Sequence, residues 1–168
     1  MQIQHGIGAD MCFAFDELTS LMDTREYQEE SMRARTQPWA ERSLQEMQRL
    51  RKVHPERPYQ AVFGVLQGAN YEDLRRETAQ WMAEREFDGY GIGGAIEKQR
   101  LGDIVQWCNE ILPEDRPKHM LGISEPDDMF AAVEHGIDTF DCVSPTRVGR
   151  NGAFYTQEGR KNIRGAKY

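Results

Sequence analysis

Short apolar segments alternate with longer amphipathic segments along this chain. The five short segments are too short for typical helices and are mostly apolar on both faces. This pattern predicts strands that are buried inside a parallel sheet. The segments are ADMCFAFD (9–16), AVFGVLQG (61–68), GYGIGG (89–94), KHMLGI (118–123) and DTFDCV (138–143).

The segments between the predicted strands show helical periodicity. Three of them place apolar side chains on one face of a helix. We expect Asn70 to cap the second helix and Pro113 to stop the third. Residues 124–128 combine a cap, an early proline and two acids, which predicts the start of a fourth helix, and His135-Gly136 predicts its end. The apolar positions are Trp39, Leu44, Met47 and Leu50, then Leu74, Ala79, Trp81 and Met82, then Leu101, Ile104, Val105, Cys108 and Ile111.

About five β/α units in series predict a parallel α/β sheet with right-handed crossovers. Two architectures have this pattern: a doubly wound open sheet and a (β/α)₈ barrel. Five units alone would suit the open sheet, but no glycine-rich phosphate loop follows the first strand, as it often does in nucleotide-binding sheets. The polar segment 19–37 is expected to be a long loop, in part helical.

Composition narrows the function classes. The 168 residues suffice for one domain, and 39% hydrophobic with 29% charged residues indicates a globular protein. There is neither an apolar run of membrane-spanning length nor a signal-peptide pattern at the start. Three scattered cysteines indicate a reducing cytoplasm and provide no C-x-x-C metal pair. The net charge of −7 argues against a generic nucleic-acid binder.

The charge is unevenly distributed, because a basic C-terminal arm (147–168) follows an acidic body. The arm contains six basic residues and the single acid Glu158. Arg147 and Arg150 begin this arm on a predicted loop that follows the strand-end acid Asp141. They could bind a phosphate group there, although solvated loop charges are the ordinary interpretation.

Polar groups follow the predicted strands, and in both architectures such groups meet at one edge of the sheet. Asp16, Gln67, Gly93-Gly94, the stretch 122–124 and Asp141 lie at these strand ends. A carboxylate, a carboxamide and exposed backbone N–H groups complement the edge of a purine such as guanine. Other polar ligands would also fit, and each residue alone could be a cap or a turn residue.

Other candidate groups have simpler interpretations. Cys142 is expected to be a small buried hydrophobic residue. The four histidines are scattered in the sequence, and none is expected to pair with an acid or a cysteine. We therefore expect structural or surface roles for His5, His54, His119 and His135.

Six segments resemble the tRNA-guanine transglycosylase (queuine tRNA-ribosyltransferase) family, in order and over essentially the whole chain. The most specific of them is FDCVxPTRxGRNG. The resemblance implies an incomplete (β/α)₈ TIM barrel, with about five of the eight units present as a single partial domain (1–168). It also implies exchange of guanine in tRNA, at the wobble position of GUN anticodons, for a 7-deazaguanine of the preQ1 or queuine type. The segments are FAFDE (13–17), FGVLQG (63–68), EFDGYGIGG (86–94), HMLGISEPDD (119–128), GIDTFDCVSPTRVGRNG (136–152) and NIRGAKY (162–168).

The resemblance also implies individual residue roles. Asp141 matches a nucleophile that attacks C1′ of the ribose and forms a covalent aspartyl-ribosyl intermediate, as in a retaining glycosidase. Asp16 matches the reader of the N1/N2 edge of the base, and Gln67 and Gly94 match groups that bind O6. Ala95 begins the loop that reads the 7-substituent. The matched RNA-binding residues are Gly122, Ile123, Ser124, Glu125, Pro126, Asp127 and Asp128, and Thr146, Arg147, Val148, Gly149 and Arg150.

The chain also departs from the family pattern. It lacks the first three strands and the Asp-Ser-Gly-Gly segment that carries a proton-transferring acid. It ends before the Cys-x-Cys-x-x-Cys motif, so no zinc site or other cofactor is expected in this chain, whereas zinc is expected in full-length members. Leu18 stands where many bacterial members have Cys, residues 95–98 replace Leu-Ala-Val-Gly-Glu, and Glu125 replaces a common Lys.

These comparisons lead to one principal hypothesis and two alternatives. The principal hypothesis is that the chain is the C-terminal barrel portion of a cytoplasmic pentosyltransferase. This enzyme would act on tRNA and a guanine or 7-deazaguanine base. We expect it to be homodimeric at full length and to have no membrane partner. The 168-residue chain alone is predicted to be inactive and to self-associate through its exposed sheet edges. The alternatives are a non-catalytic RNA-binding paralogue or partner subunit, which the presence of Asp141 disfavours, and an unrelated barrel enzyme.

Overall fold

Five parallel strands form a curled half-barrel in the computed structural model, which describes residues 1–123, 125–163 and 165. Every strand pairs with the next one along the chain. A doubly wound sheet would reverse its strand order at a switch point, whereas a TIM barrel keeps consecutive order. The expected incomplete (β/α)₈ barrel is therefore confirmed. The strands are β1 (Met11–Phe13), β2 (Ala61–Leu66), β3 (Gly89–Ile92), β4 (Lys118–Met120) and β5 (Thr139–Phe140).

Helices connect the strands, and all four predicted helices are present. They are α3 (Gln37–Val53), α4 (Glu72–Ala83), α5 (Leu101–Asn109) and α6 (Pro126–Glu134). A further helix, α2 (Arg25–Ser31), and a π-helical turn (Met32–Thr36) that joins it to α3 lie within the segment predicted to be partly helical. A 3₁₀ turn (Lys98–Arg100) precedes α5, and an antiparallel hairpin of β6 (Ala153–Thr156) and β7 (Gly159–Asn162) follows the last helix. The two short helices at the ends of this series are α1 (Gln2–Ile7) and α7 (Ser144–Arg150).

The helix boundaries correct one expectation and support another. Asn70 does not cap α4, because the cap position is Tyr71 and Asn70 Oδ1 instead accepts the Glu97 N–H at 3.1 Å. The early proline of α6 and its end at His135-Gly136 are as predicted, with Gly136 in the left-handed region at φ +96°. The predicted cap residue Ser124 lies outside the described residues.

The core lies between the outer face of the sheet and the helices. Alternate strand residues point to this side and are almost fully buried. A Cβ on Gly64 would lie 2.7 Å from Met82 Sδ, so α4 packs directly against the backbone of β2. The strand side chains in this core are Cys12, Val62, Leu66, Tyr90, Ile92 and Met120.

The inner face of the sheet has a different composition, because β3 presents only glycine there. A Cβ on Gly89 would lie 2.5 Å from the Phe63 ring, and one on Gly91 would lie 2.9 Å from the Phe13 ring. The two phenylalanines meet edge to face at a centroid distance of 5.6 Å. Side chains from β1 and β2 thus fill the space above β3.

The outer strands of the described sheet are β1 and β5. The segment 138–143 is not buried as predicted: Thr139 is exposed, Phe140 is half-buried and Val143 is 52% exposed. The reason is that no further strand covers β5 among the described residues. Apolar side chains are also exposed beside β1, with Met11 at 47% and Phe15 at 66%.

Candidate active site

Asp16 and Gln67 meet at the carboxyl ends of β1 and β2, as the sequence predicts. The Gln67 Nε2 donates to Asp16 Oδ2 at 2.6 Å. Gln67 is only 3% exposed, and its Oε1 has no partner among the described residues. Burial raises the pKa of Asp16, and the hydrogen bond from Gln67 partly opposes this shift. The pair therefore combines a desolvated acceptor, the Asp16 carboxyl group, with a donor held in place, the Gln67 carboxamide.

Gly94 closes over this pair at the end of β3. Its φ of +97° lies in the left-handed region, and a Cβ there would be 2.7 Å from Gln67 Oε1. Only glycine lets the loop approach so closely. No hydrogen bond from the Gly94 N–H to another described residue is present, so this donor is available beside the carboxamide.

A buried arginine that the sequence analysis missed organises these two loops. Arg75 on α4 is fully buried and donates to the carbonyl oxygens of Ala69 (2.8 Å), Leu66 (3.3 Å) and Gly93 (2.8 Å). Burial lowers the pKa of Arg75 to about 10, so the side chain stays charged at neutral pH. Its position beside Leu74, on the apolar side of the predicted helix, was the available signal.

Asp141 follows β5 and contacts two polar groups through one oxygen. Its Oδ1 accepts the Gly122 N–H at 3.1 Å and lies 3.1 Å from His119 Nε2. The side chain is 61% exposed, and Oδ2 has no hydrogen-bond partner among residues 1–123, 125–163 and 165. The carboxylate is thus fixed at one oxygen and open at the other.

The contact between His119 and Asp141 corrects the expectation that no histidine pairs with an acid. The cause is sheet register: His119 pairs with Thr139, so Asp141, two residues later, returns to the same face. His119 is 7% exposed, and its Nδ1 lies 2.9 Å from Thr139 Oγ1. His54 also lies beside an acid, 3.4 Å from Glu56.

The predicted RNA-binding residues lie in two places. Gly122 (φ +71°), Ile123 and residues 125–128 connect β4 to the first turn of α6; Ser124 is outside the described residues. In that turn Asp128 pairs with Lys98 at 3.2 Å. The second segment, 146–150, lies on α7.

Arg147 and Arg150 lie in the last turn of a helix, so the predicted loop is wrong. The proline at the start of α7 is compatible with a helical first turn, and Val148 anchors the helix as a buried residue. Both arginines are exposed, and neither has an ion-pair partner among the residues that the structure describes.

A cavity of about 190 Å³ borders one residue from each part of the site, Gly94 and Gly122. It lies between the ends of β3 and β4 and is bordered by Gly94, Leu121 and Gly122. Among the described residues, the side chains of Asp16, Gln67 and Asp141 do not line it. A larger cavity of about 890 Å³, between α1 and α3, contains none of the predicted site residues.

The sequence comparisons decide the family. A family model described as queuine tRNA-ribosyltransferase matches residues 1–168. The chain belongs to the queuine tRNA-ribosyltransferase family. A relative from Archaeoglobus fulgidus is 45% identical over 157 residues, covering 92% of this chain and 36% of its own length. Proteins named queuine tRNA-ribosyltransferase from Thermoanaerobacter sp. strain X514 (41% identical, 44% of its length) and Anoxybacillus flavithermus (39%, 43%) match all of this chain.

The chain thus spans less than half the length of these queuine tRNA-ribosyltransferases. The resemblance found in the sequence is confirmed. Within the described part of the chain, no three His, Cys, Asp or Glu side chains cluster as a metal site would require. No helix of the described residues has the length and apolar character for a membrane span.

Two further residues, Cys142 and Ala95, directly follow Asp141 and Gly94 in the chain. Cys142 is half-buried rather than buried as predicted, because it lies beside the exposed end of β5. Ala95 is half-buried directly after Gly94, at the start of a loop in which residues 97–99 are exposed.

Proposed function

We propose that this chain carries the base-exchange site of a tRNA-guanine transglycosylase, a pentosyltransferase that replaces guanine in tRNA with a 7-deazaguanine of the preQ1 or queuine type. The observation that carries the proposal is the carboxylate of Asp141, which is anchored through Oδ1 and open at Oδ2. The Gly122 N–H that donates to it belongs to a residue that borders a small cavity, together with Gly94 after β3. Membership of the family supports the substrate class.

The base is recognised at the ends of the first three strands. In the ionised state, Asp16 accepts hydrogen bonds from N1–H and N2–H₂ of guanine. The Gln67 carboxamide and the Gly94 N–H donate to O6. Gln67 Nε2 and Asp16 Oδ2 already lie 2.6 Å apart in a hydrogen bond. This lowers the entropy cost of ordering the two side chains when the base binds.

The exchange then proceeds in two displacements at C1′ of the ribose. Asp141 Oδ2 forms a bond to C1′ while the C1′–N9 bond breaks, and the electron pair leaves with guanine, which takes up a proton. The N9 of the incoming base then loses its proton and bonds to C1′, and the electron pair of the C1′–Oδ2 bond returns to Asp141. Two displacements retain the configuration at C1′.

The tRNA backbone is bound beside this centre. Arg147 and Arg150 are exposed cations on α7. They follow Asp141 by six and nine residues in the chain. Guanidinium groups bind phosphate oxygens in a bidentate manner. The loop that begins at Ala95 lies next to Gly94 and contacts the 7-substituent of the incoming base.

The test is covalent trapping with the intact protein that carries this chain. The protein is mixed with tRNA and excess competing base, denatured, and examined by mass spectrometry for an RNA adduct on Asp141. We expect an adduct in the wild type and none in Asp141→Ala, while Asp115→Ala, an exposed acid outside the predicted site segments, keeps it.

Two outcomes would contradict the proposal. An adduct that persists in Asp141→Ala would place the nucleophile elsewhere. A wild-type protein that binds tRNA without forming any adduct would instead indicate the non-catalytic RNA-binding paralogue or partner subunit.

A further inference from the structure

Three side chains form a hydrogen-bonded series across β4 and β5. Thr139 Oγ1 lies 2.9 Å from His119 Nδ1, and His119 Nε2 lies 3.1 Å from Asp141 Oδ1. The His119 side chain is 9% exposed, and its ring packs against Phe13 at a centroid distance of 5.2 Å. The ring is therefore fixed by packing on one side and by hydrogen bonds at both nitrogens.

The partners of the imidazole select its neutral tautomer. An ionised carboxylate only accepts, so the contact with Asp141 requires a hydrogen on Nε2. In the neutral imidazole Nδ1 then accepts, and the Thr139 hydroxyl can donate to it. The opposite tautomer would place a nitrogen lone pair against the carboxylate.

We propose that His119 is a positioning residue for Asp141: together with the Gly122 N–H it holds Oδ1, so that Oδ2 is the oxygen that bonds to C1′. This inference rests on the proposed function, and it adds a step-specific role. When the C1′–Oδ2 bond breaks in the second displacement, negative charge returns to the carboxylate. A donor at Oδ1 stabilises that charge and therefore favours departure of Asp141.

Loss of the donor should therefore slow the second displacement in particular. Hydrogen bonds to charged groups contribute enough to change such a rate about 10- to 100-fold. Binding of guanine should not change, because Asp16, Gln67 and Gly94 recognise the base. A purely structural role of His119 would instead weaken binding and catalysis together.

The experiment uses the isolated tRNA adduct of the intact protein, chased with excess guanine. His119→Phe keeps the ring that packs on Phe13 and removes both nitrogens. We expect release of tRNA to slow about 10- to 100-fold, the adduct to accumulate during turnover, and KM for guanine to stay within about twofold. His119→Gln, which places an N–H near the Nε2 position, should recover most of the release rate.

A second pair of variants covers the case in which His119→Phe does not fold. Thr139→Val removes the hydroxyl that fixes the tautomer and should slow release several-fold, whereas Thr139→Ser keeps it and should behave as wild type. Release within twofold of wild type in His119→Phe, or in Thr139→Val where the first variant is unfolded, overturns the inference. A loss of guanine affinity as large as the loss of the tRNA release rate also overturns the inference.

The two proposals fail in different ways. If the wild type forms an adduct that Asp141→Ala abolishes, while release is insensitive to His119, only the positioning role is wrong. If the wild type forms no adduct at all, the proposed function is wrong and the positioning role with it.

Discussion

At the scale of single residues, Asp16 shows a conflict between binding and stability. Burial raises the pKa of its carboxyl, so the folded protein holds the Asp16 proton more tightly than the unfolded chain does. The stability contributed by the protonated form is present below the ordinary carboxyl pKa. It is lost as the pH rises through the raised pKa. At neutral pH the charge that would read the base therefore opposes folding.

Asp16→Asn should raise the melting temperature at neutral pH and lower the affinity for guanine at least tenfold. The amide oxygen can still accept from Gln67 without a desolvated charge, but it offers guanine only one acceptor. The stability gain should shrink as the pH falls below the ordinary carboxyl range. Thermal unfolding between acidic and neutral pH, with guanine binding by calorimetry, checks both parts.

Asp73→Asn is the matched control for this substitution. Asp73 is exposed, and its hydrogen bond from Arg25 lowers the pKa of its carboxyl, so its neutralisation should give no gain in stability. An Asp16→Asn protein that melts like the wild type at every pH would contradict the expected effect of burial.

The residue scale also shows what the sequence could and could not predict. Asp16, Gln67 and Gly94 were found because the carboxyl ends of parallel strands meet at one edge. The contact of His119 with Asp141 was missed, since it depends on the register of β4 against β5, and sequence spacing does not specify that register. The roles of these residues in tRNA modification stay predictions.

At the scale of elements, the strands and central helices follow from apolar periodicity, whereas α1, α7 and the β6–β7 hairpin were not predicted. Each of these is short, and α7 contains both a proline and a glycine. Such residues ordinarily indicate a turn. Tertiary contacts decided the outcome, because Val148 is buried and anchors α7.

Arg75 links α4 to the ends of β2 and β3, and its loss should destabilise both loops. It also holds the carbonyl of Ala69, whose φ of +47° is unfavourable for alanine. We expect Arg75→Met to lower the free energy of unfolding by about 3 kcal/mol, since the buried carbonyls of Ala69 and Gly93 lose their donor and that of Leu66 keeps only the Gly93 N–H. Urea denaturation measures this change.

The neighbouring Arg76 provides a control for the Arg75 substitution. Arg76 forms surface ion pairs with Glu72 and Glu110, so Arg76→Met should cost less than about 1 kcal/mol. Equal effects of the two substitutions would show that the buried hydrogen bonds of Arg75 contribute little.

At the scale of the whole molecule, the half-barrel leaves backbone groups of β1 and β5 unpaired along the outer edges of the described sheet. Apolar side chains stand beside one of these edges, at Met11 and Phe15. Open edges and exposed apolar groups favour pairing with another chain. The 168-residue chain alone should therefore self-associate at micromolar concentration and should not exchange guanine.

Sedimentation velocity measures this association. A lysine beside an edge strand opposes pairing, so Met11→Lys should shift the distribution toward monomer. Ile3→Lys, an equally large change on exposed α1, should have little effect. A monomeric wild-type chain that exchanges guanine would contradict the prediction.

The consecutive strand order has a consequence for how the chain reaches its fold during synthesis. Each strand pairs with the one made just before it, so a growing chain need not wait for a distant segment before it extends the sheet. Contacts between neighbouring β/α units can form early. Each new pair of strands then closes a loop that consists of a single β/α connection, which limits the entropy cost of closing it. The sheet can thus be assembled in the order in which the ribosome releases it, from β1 toward β5.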